Sequence, residues 1–221
     1  DSLKKVVLEL GGKGANIVFA DADDKAVARG ARHVFYNSGQ SCNAPTRMLV
    51  ERSFYETAVE QARKVAEDTQ VATAHQPGRH IGPVVSKQQW DKIQDLIQKG
   101  IDEGARLVAG GTGLPEGVNR GYYVRPTVFA DVTNDMTIAR QEIFGPVVAL
   151  IPFESEEEAV RIANDTIYGL TNYVQTQDGA RRNRLARQLR SGMVEMNGVS
   201  RGRGSAFGGV KASGRAREGG V

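Results

Sequence analysis

The sequence is poor in the residues that form disulfides and bind metal ions. Its 221 residues include one cysteine, Cys42, and three histidines, His33, His75 and His80. A single cysteine excludes an internal disulfide framework and a cysteine-rich zinc site. The histidines are too few and too badly spaced for a metal cluster, so we predict no metal site.

Long apolar runs and a large excess of one charge are also missing. No stretch of about 18 apolar residues occurs, so we predict no spanning helix and no membrane partner. The formal net charge is +3, from 29 Lys and Arg against 26 Asp and Glu, which argues against nucleic acid as a partner. The basic stretch from Arg181 to Arg190 has few aromatics, and we interpret it as a solvated helix face or a contact with another domain.

Two further signals are missing from the chain. It begins with Asp1, Ser2 and Leu3, without an initiator Met, a charged n-region or a signal peptide. We therefore expect a cytoplasmic protein and a piece of a longer polypeptide.

Neither a GxxxxGK[ST] string nor a GxGxxG string is present, so we find no nucleotide-phosphate loop in the chain.

Short apolar runs alternate with amphipathic segments along the chain. Strands are predicted at 6–10, 17–19, 47–51, 105–109, 122–128, 147–151, 170–175 and 193–196. Helices are predicted at 23–39, 53–68, 86–104 and 179–189, with a further helix opening at 155. This order favours an α/β domain with a largely parallel sheet. No internal repeat or linker divides the chain, so we predict a single domain.

Cys42 lies in a polar stretch, residues 37–47, between a predicted helix and a predicted strand. An accessible sulfur there is a candidate nucleophile, whereas a small buried hydrophobe is the alternative and the commoner role of a free cysteine. A helix ending at Gly39 would direct its C-terminal dipole at the thiol and raise the thiol pKa. A base or a bound cation would then have to generate the thiolate.

Glu9 is the one charged residue of the apolar run 6–10, which is followed by two glycines and Lys13. A carboxylate at the tip of a strand is predicted to lie at the carboxyl end of the sheet, where α/β folds place reacting groups. Partial burial there would raise its pKa towards the range of a general base. The alternative is a solvated charge paired with Lys13.

Glu142 and Phe144 precede a Gly-Pro turn. The carboxylate can accept hydrogen bonds from a sugar diol and the aromatic ring can pack against a flat heterocycle, but a turn with a core Phe is the alternative. The glycine-rich loop 206–214 presents one large aromatic, Phe207.

Five strings, in this order and spacing, resemble the aldehyde dehydrogenase superfamily. They are LELGGK at 8–13, GQSC at 39–42 closed by Thr46 and Arg47, EIFGPV at 142–147, NDTIYGL at 164–170 and FGGVK at 207–211. The resemblance covers essentially the whole chain. It implies a three-layer α/β fold with a Rossmann-like sheet, in which residues 1–221 form the catalytic domain. The N-terminal cofactor-binding domain and the extreme C-terminal segment would then lie outside the chain.

The resemblance also implies residue roles. Cys42 matches the nucleophile that forms a thiohemiacetal and then a thioester, and Glu9 matches the general base that activates water. The resemblance places the cofactor at Leu10, Gly11, Glu142 and Phe144. It places Phe207 in the aldehyde channel, where Ser41 and Asn43 flank the nucleophile.

The activity implied is NAD- or NADP-dependent oxidation of an aldehyde to a carboxylate. We expect the full-length enzyme to be a homo-oligomer, a dimer or tetramer, and the isolated chain to retain neither cofactor nor dehydrogenase activity. Two alternatives remain: a cofactor-independent thiol esterase or acyltransferase, and a non-catalytic protein that keeps the fold.

Overall fold

A seven-stranded sheet forms the centre of the molecule. The computed structural model describes residues 2–73, 75–199, 201–202, 204–215 and 217–219, and the strands found there follow the order β3-β4-β5-β2-β1-β6-β7. Only β3 runs antiparallel to its neighbour, and the other five pairs are parallel. The strands are β1 (Ala15–Val18), β2 (Arg47–Glu51), β3 (Arg106–Ala109), β4 (Thr127–Ala130), β5 (Val147–Phe153), β6 (Thr171–Gln175) and β7 (Met193–Met196).

Six α-helices of the described ranges accompany this sheet. They are α1 (Ala26–Phe35), α2 (Tyr55–Asp68), α3 (Lys87–Asp102), α4 (Thr137–Arg140), α5 (Glu156–Asn164) and α6 (Gly179–Gln188). Two of the predicted helix starts carry a serine N-cap. The Ser86 hydroxyl accepts from the Gln89 N–H, and the Ser155 hydroxyl accepts from the Glu158 N–H, which satisfies amide groups left free at a helix N-terminus.

Helices cover both faces of the sheet. Successive side chains of a strand point to opposite faces, so Met48 and Val50 join the core formed with α1 and α2, while Leu49 joins the core formed with α3 to α6. The sheet is therefore the middle of three layers. This confirms the predicted α/β class and the largely parallel sheet.

The predicted strand at 6–10 is wrong. Residues 2–14 form no strand, and most of their apolar side chains stay in solvent, with Val6 70% and Leu8 48% exposed. An apolar run becomes a strand only where a neighbouring strand pairs with it. This run lies before β1, and none of the strands found among the described residues pairs with it. The short helix α4, in contrast, was not predicted. Among the described residues, no helix is long and apolar enough to cross a membrane.

Candidate active site

Three loops that carry the predicted site residues meet at one edge of the sheet. Residues 9–14 lead into β1, residues 40–46 into β2 and residues 142–146 into β5. Because these three strands are parallel, the loops lie at their amino ends. The prediction that Glu9 lies at the carboxyl end of the sheet is therefore wrong.

The Gly11-Gly12 turn brings the three loops into contact. The Gly12 N–H donates to Glu142 Oε1 at 2.9 Å. A Cβ atom on Gly11 would lie 2.1 Å from Glu142 Oε2, and one on Gly12 would lie 2.4 Å from the carbonyl oxygen of Cys42. Only glycine permits approaches this close. The Gly12 backbone thus lies between the loop of Cys42 and the carboxylate of Glu142.

A second close approach, at Gly39, joins the loop before β2 to the loop before β5. Gly39 has a φ of 74°, and a Cβ atom there would lie 2.0 Å from the carbonyl of Gly145. Phe144 also has a left-handed backbone, with a φ of 56°, and its carbonyl accepts from Gln89 Nε2 at 3.0 Å. These contacts fix the chain direction on both sides of the Gly-Pro turn.

The Cys42 thiol is half-buried and harder to ionise than a free thiol. Its pKa rises from 9.0 to about 11, mainly through burial. The neighbouring Glu9 carboxylate raises the pKa further, because it accepts from the neutral thiol and repels the thiolate, whereas the backbone N–H groups of Cys42 and Asn43 lower it. The direction agrees with the prediction, but the cause differs: α1 ends at Phe35, before the predicted Gly39.

Glu9 is not the partner of Lys13. The carboxylate is partly buried, and within the part of the chain that is described its Oε1 atom has no hydrogen-bond partner. Lys13 is only 1% exposed, and its Nζ atom has no described partner either. Burial, and secondarily the charge of Arg47, lowers the pKa of Lys13 to about 7. The alternative of a solvated Glu9–Lys13 pair is thus wrong.

The residues beside Cys42 are tied to the sheet. Ser41 Oγ donates to Asn43 Oδ1 at 2.8 Å, and the Tyr173 hydroxyl donates to the Asn43 carbonyl at 2.9 Å. His33 meets the Tyr173 ring edge-on, with ring centroids 5.3 Å apart. No pattern in the sequence singles out Tyr173, because its contact with Asn43 joins residues 130 positions apart.

The glycine-rich loop near the end of the chain holds the turn in place. Ser213 Oγ donates to the Gly11 carbonyl at 2.7 Å and accepts from the Gly169 N–H at 3.0 Å. The Leu10 N–H donates to the Ser213 carbonyl at 3.1 Å. Ser213 was also missed, because its role depends on a contact across some 200 residues. The loop therefore supports the turn.

Phe207 is half-buried in the same loop. Its backbone pairs with Glu218, and its ring lies 4.8 Å from the Arg201 guanidinium carbon. Neither contact brings it to Cys42, so its place in an aldehyde channel stays a prediction. No group of three His, Cys, Asp or Glu residues suited to a metal ion occurs among the residues described.

The arrangement suits acyl chemistry at a thiol. A thiol, a carboxylate facing it and backbone N–H groups around it supply a nucleophile, a base and oxyanion donors. Glu142, oriented by the Gly12 N–H, is suited to accept hydrogen bonds from the hydroxyls of a ribose.

Comparison with known proteins gives the chain its relatives. The model of the family described as "Aldehyde dehydrogenase family" matches residues 1–221. A 3-succinoylsemialdehyde-pyridine dehydrogenase from Pseudomonas sp. is 45% identical over 218 residues, which cover 98% of this chain and 46% of that protein. The chain thus spans about half the length of the curated relatives that it matches.

Solved structures agree in fold. An aldehyde dehydrogenase from Bartonella henselae is 69% identical, with a TM-score of 0.98 over 99% of this chain and 46% of that one. The C291A mutant of aldehyde dehydrogenase C from Pseudomonas syringae, in complex with NAD+ and octanal, is 44% identical, with a TM-score of 0.93 over 96% of this chain and 44% of that one.

Proposed function

The chain belongs to the aldehyde dehydrogenase family, and on that premise we propose that it carries the nucleophile and the base for oxidising an aldehyde to a carboxylate. The observation that supports this most directly is the Cys42 thiol facing the Glu9 carboxylate, beside a turn that holds Glu142. We propose that residues 1–221 are the catalytic domain of the enzyme.

The first step is attack of Cys42 Sγ on the aldehyde carbon. The raised pKa of the thiol means that its proton must leave as the C–S bond forms, and Glu9 is the base that faces it. The carbonyl oxygen becomes an oxyanion, for which the Cys42 N–H is a donor. A bound nicotinamide dinucleotide supplies the acceptor for the hydride that leaves the carbon.

The second step releases the acid. Loss of hydride leaves a thioester on Cys42, and Glu9 passes the proton of the thiol to solvent before it removes a proton from the water that attacks the thioester carbon. The C–S bond then breaks, the leaving thiolate takes the proton from Glu9, and the acid loses its own proton to solvent and departs as the carboxylate. We assign Ser41, Asn43 and Phe207 to the aldehyde side of the site, and Leu10, Gly11, Glu142 and Phe144 to the nicotinamide side.

The cofactor proposed is NAD or NADP. Related structures that contain NAD+ support a dinucleotide of this type. The chain has neither phosphate-loop string, so we propose that most of the dinucleotide is held outside these residues. The chain alone should then form no NADH from NAD and a simple aldehyde, and NADH formation would refute this part. For the full-length enzyme we propose a cytoplasmic homo-oligomer.

The acyl step can be tested without cofactor. We expect p-nitrophenyl acetate to add one acetyl group to the chain in intact-mass spectra, and Cys42→Ala to abolish the addition. Glu9→Gln should accumulate the acetylated chain, because deacylation slows by about 10²–10⁴-fold when a general base is lost. Glu157→Gln, at an exposed position on α5, is the matched control. Deacylation of Glu9→Gln at the unaltered rate would contradict the assignment.

A thiol esterase or acyltransferase is the second candidate function. The thiol and carboxylate are present, whereas a phosphate loop is not, and this pair suffices for ester hydrolysis. Multiple turnovers of an ester, with no gain in rate when NAD and an aldehyde are supplied to the full-length protein, would favour it over the dehydrogenase.

A further inference from the structure

Arg47 is a completely buried cation close to the candidate site. It opens β2, five residues after Cys42, and its relative exposure is 0%. Its Nε–H donates to the Lys13 carbonyl at 3.1 Å, and its backbone N–H donates to the Gly14 carbonyl at 3.3 Å. One residue therefore holds two successive carbonyls of the segment that begins at Glu9.

The guanidinium also contacts α5. It donates to the carbonyls of Ile162 at 2.9 Å and Ala163 at 3.0 Å, which belong to the last turn of α5. It also donates to Asn134 Oδ1 at 2.9 Å. The last carbonyls of a helix lack partners within the helix and carry its partial negative charge, so the end of α5 stabilises this cation.

No ion pair of Arg47 is found among the described residues, although it is fully buried. Its bonds run to one side-chain amide and three backbone carbonyls. Such a fork of donors in fixed directions is a property of guanidinium, and an ammonium on a flexible stem cannot reproduce it. Arg47 therefore joins the end of α5 to residues 9–14 through its hydrogen bonds.

We propose that Arg47 is a positioning residue that holds the Glu9 carboxylate against the Cys42 thiol by bracing the 9–14 segment to the end of α5. The other supports of that segment, Glu142 and Ser213, act on Leu10 to Gly12. Arg47 is the support on the side of β1. Its effect on catalysis rests on the proposed role of Glu9, but its effect on the thiol does not depend on a cofactor.

The test is a double-mutant cycle on the reactivity of Cys42. Iodoacetamide reacts with thiolate that has already formed, so its rate reports the equilibrium thiolate fraction of Cys42 and not the proton transfer to Glu9 that is proposed for attack on an aldehyde. In the unaltered chain, Glu9→Gln should lower the midpoint of the pH profile and speed alkylation about 3–10-fold at pH 8, since a facing carboxylate is lost. In an Arg47→Lys background the same change should speed alkylation less than about 2-fold.

Arg140→Lys is the matched control. Arg140 donates to the Asp165 carbonyl at 2.9 Å, also at the end of α5, but its described contacts do not include the 9–14 segment. It should leave the full effect of Glu9→Gln in place. If Arg47→Lys does not fold by circular dichroism, Asn134→Ala removes one acceptor of the guanidinium and should reduce the Glu9 effect in the same direction.

Each outcome decides between the proposals. A full Glu9 effect in the folded Arg47→Lys or Asn134→Ala chain overturns the positioning role and leaves the proposed function intact. If the Arg140→Lys chain loses the effect of Glu9→Gln equally, the positioning role is also overturned, because any change at the end of α5 would then suffice to remove that effect. No effect of Glu9→Gln in the unaltered chain overturns the Glu9–Cys42 pairing, and the positioning role with it.

Discussion

Lys13 provides the sharpest prediction, because the chain buries its ammonium group without a described partner. Burial lowers the pKa from 10.5 to about 7, and the Arg47 charge adds to this, against the attraction of Glu142. Replacing a buried charge by an apolar side chain of similar volume often stabilises a protein. We therefore expect Lys13→Met to raise the free energy of unfolding.

The size of the gain follows from the two pKa values. Between pH 7 and pH 10.5 the unfolded chain binds more protons at this lysine than the folded chain does, so the stability of the unaltered protein rises with pH in that window. With a folded pKa of about 7, the lysine costs about 4 kcal/mol at pH 7.5 and about 2 kcal/mol at pH 9. At pH 10.5 the cost falls below about 1 kcal/mol.

Urea unfolding of the two chains at these three pH values measures the gain. We expect Lys13→Met to be the more stable at pH 7.5, with the difference shrinking as the pH rises. Lys99→Met, at an exposed position on α3, is the control and should change stability by less than about 0.5 kcal/mol at every pH. A gain that does not depend on pH, or a loss at pH 7.5, would refute the reasoning.

Two further predictions concern the same edge of the sheet. Gly12→Ala should lower the free energy of unfolding by about 1–3 kcal/mol and slow acetylation of Cys42, because its Cβ atom would lie 2.4 Å from the Cys42 carbonyl. Thermal melts measure the first effect and intact mass the second. Gly82→Ala, where a Cβ atom would meet no atom within 4 Å, should show neither effect. Burial lowers the pKa of His33, so the unfolded chain binds its proton first and stability should fall as the pH drops through about 6.5. His33→Gln should make stability depend less on pH in acid titrations. An unchanged dependence would contradict the prediction, and so would an equal effect of His75→Gln, at an exposed position.

Local patterns in the sequence predicted most elements of the fold. The strand at 47–51 appeared at the predicted bounds, since its apolar residues could be buried on both faces. Ser86 and Ser155 marked two helix starts because capping is a contact between residues three apart. The helix predicted to end at Gly39 ended at Phe35, where the chain turns into left-handed conformations.

The sequence failed where long-range partners matter. The run at 6–10 has the apolar character of a strand, but none of the residues that the structure describes pairs with it as a strand. Lys13 looked like a solvated charge and is buried, and Arg47, quoted only as part of a motif, donates to carbonyls from two other segments. Neither position differs from a surface cation in local pattern.

The sequence by itself determined the α/β class, through the alternation of its elements, and the family, through five strings of fixed residue types and spacing; the candidate nucleophile and base follow from the resemblance that these strings carry. Only the tertiary structure decided which edge of the sheet bears the site and which groups face Cys42. Loops that are far apart in sequence meet there through Gly11, Gly12 and Gly39, each lying where a Cβ atom would overlap another loop. Such approaches depend on distances between segments, and those exist only once the chain has folded.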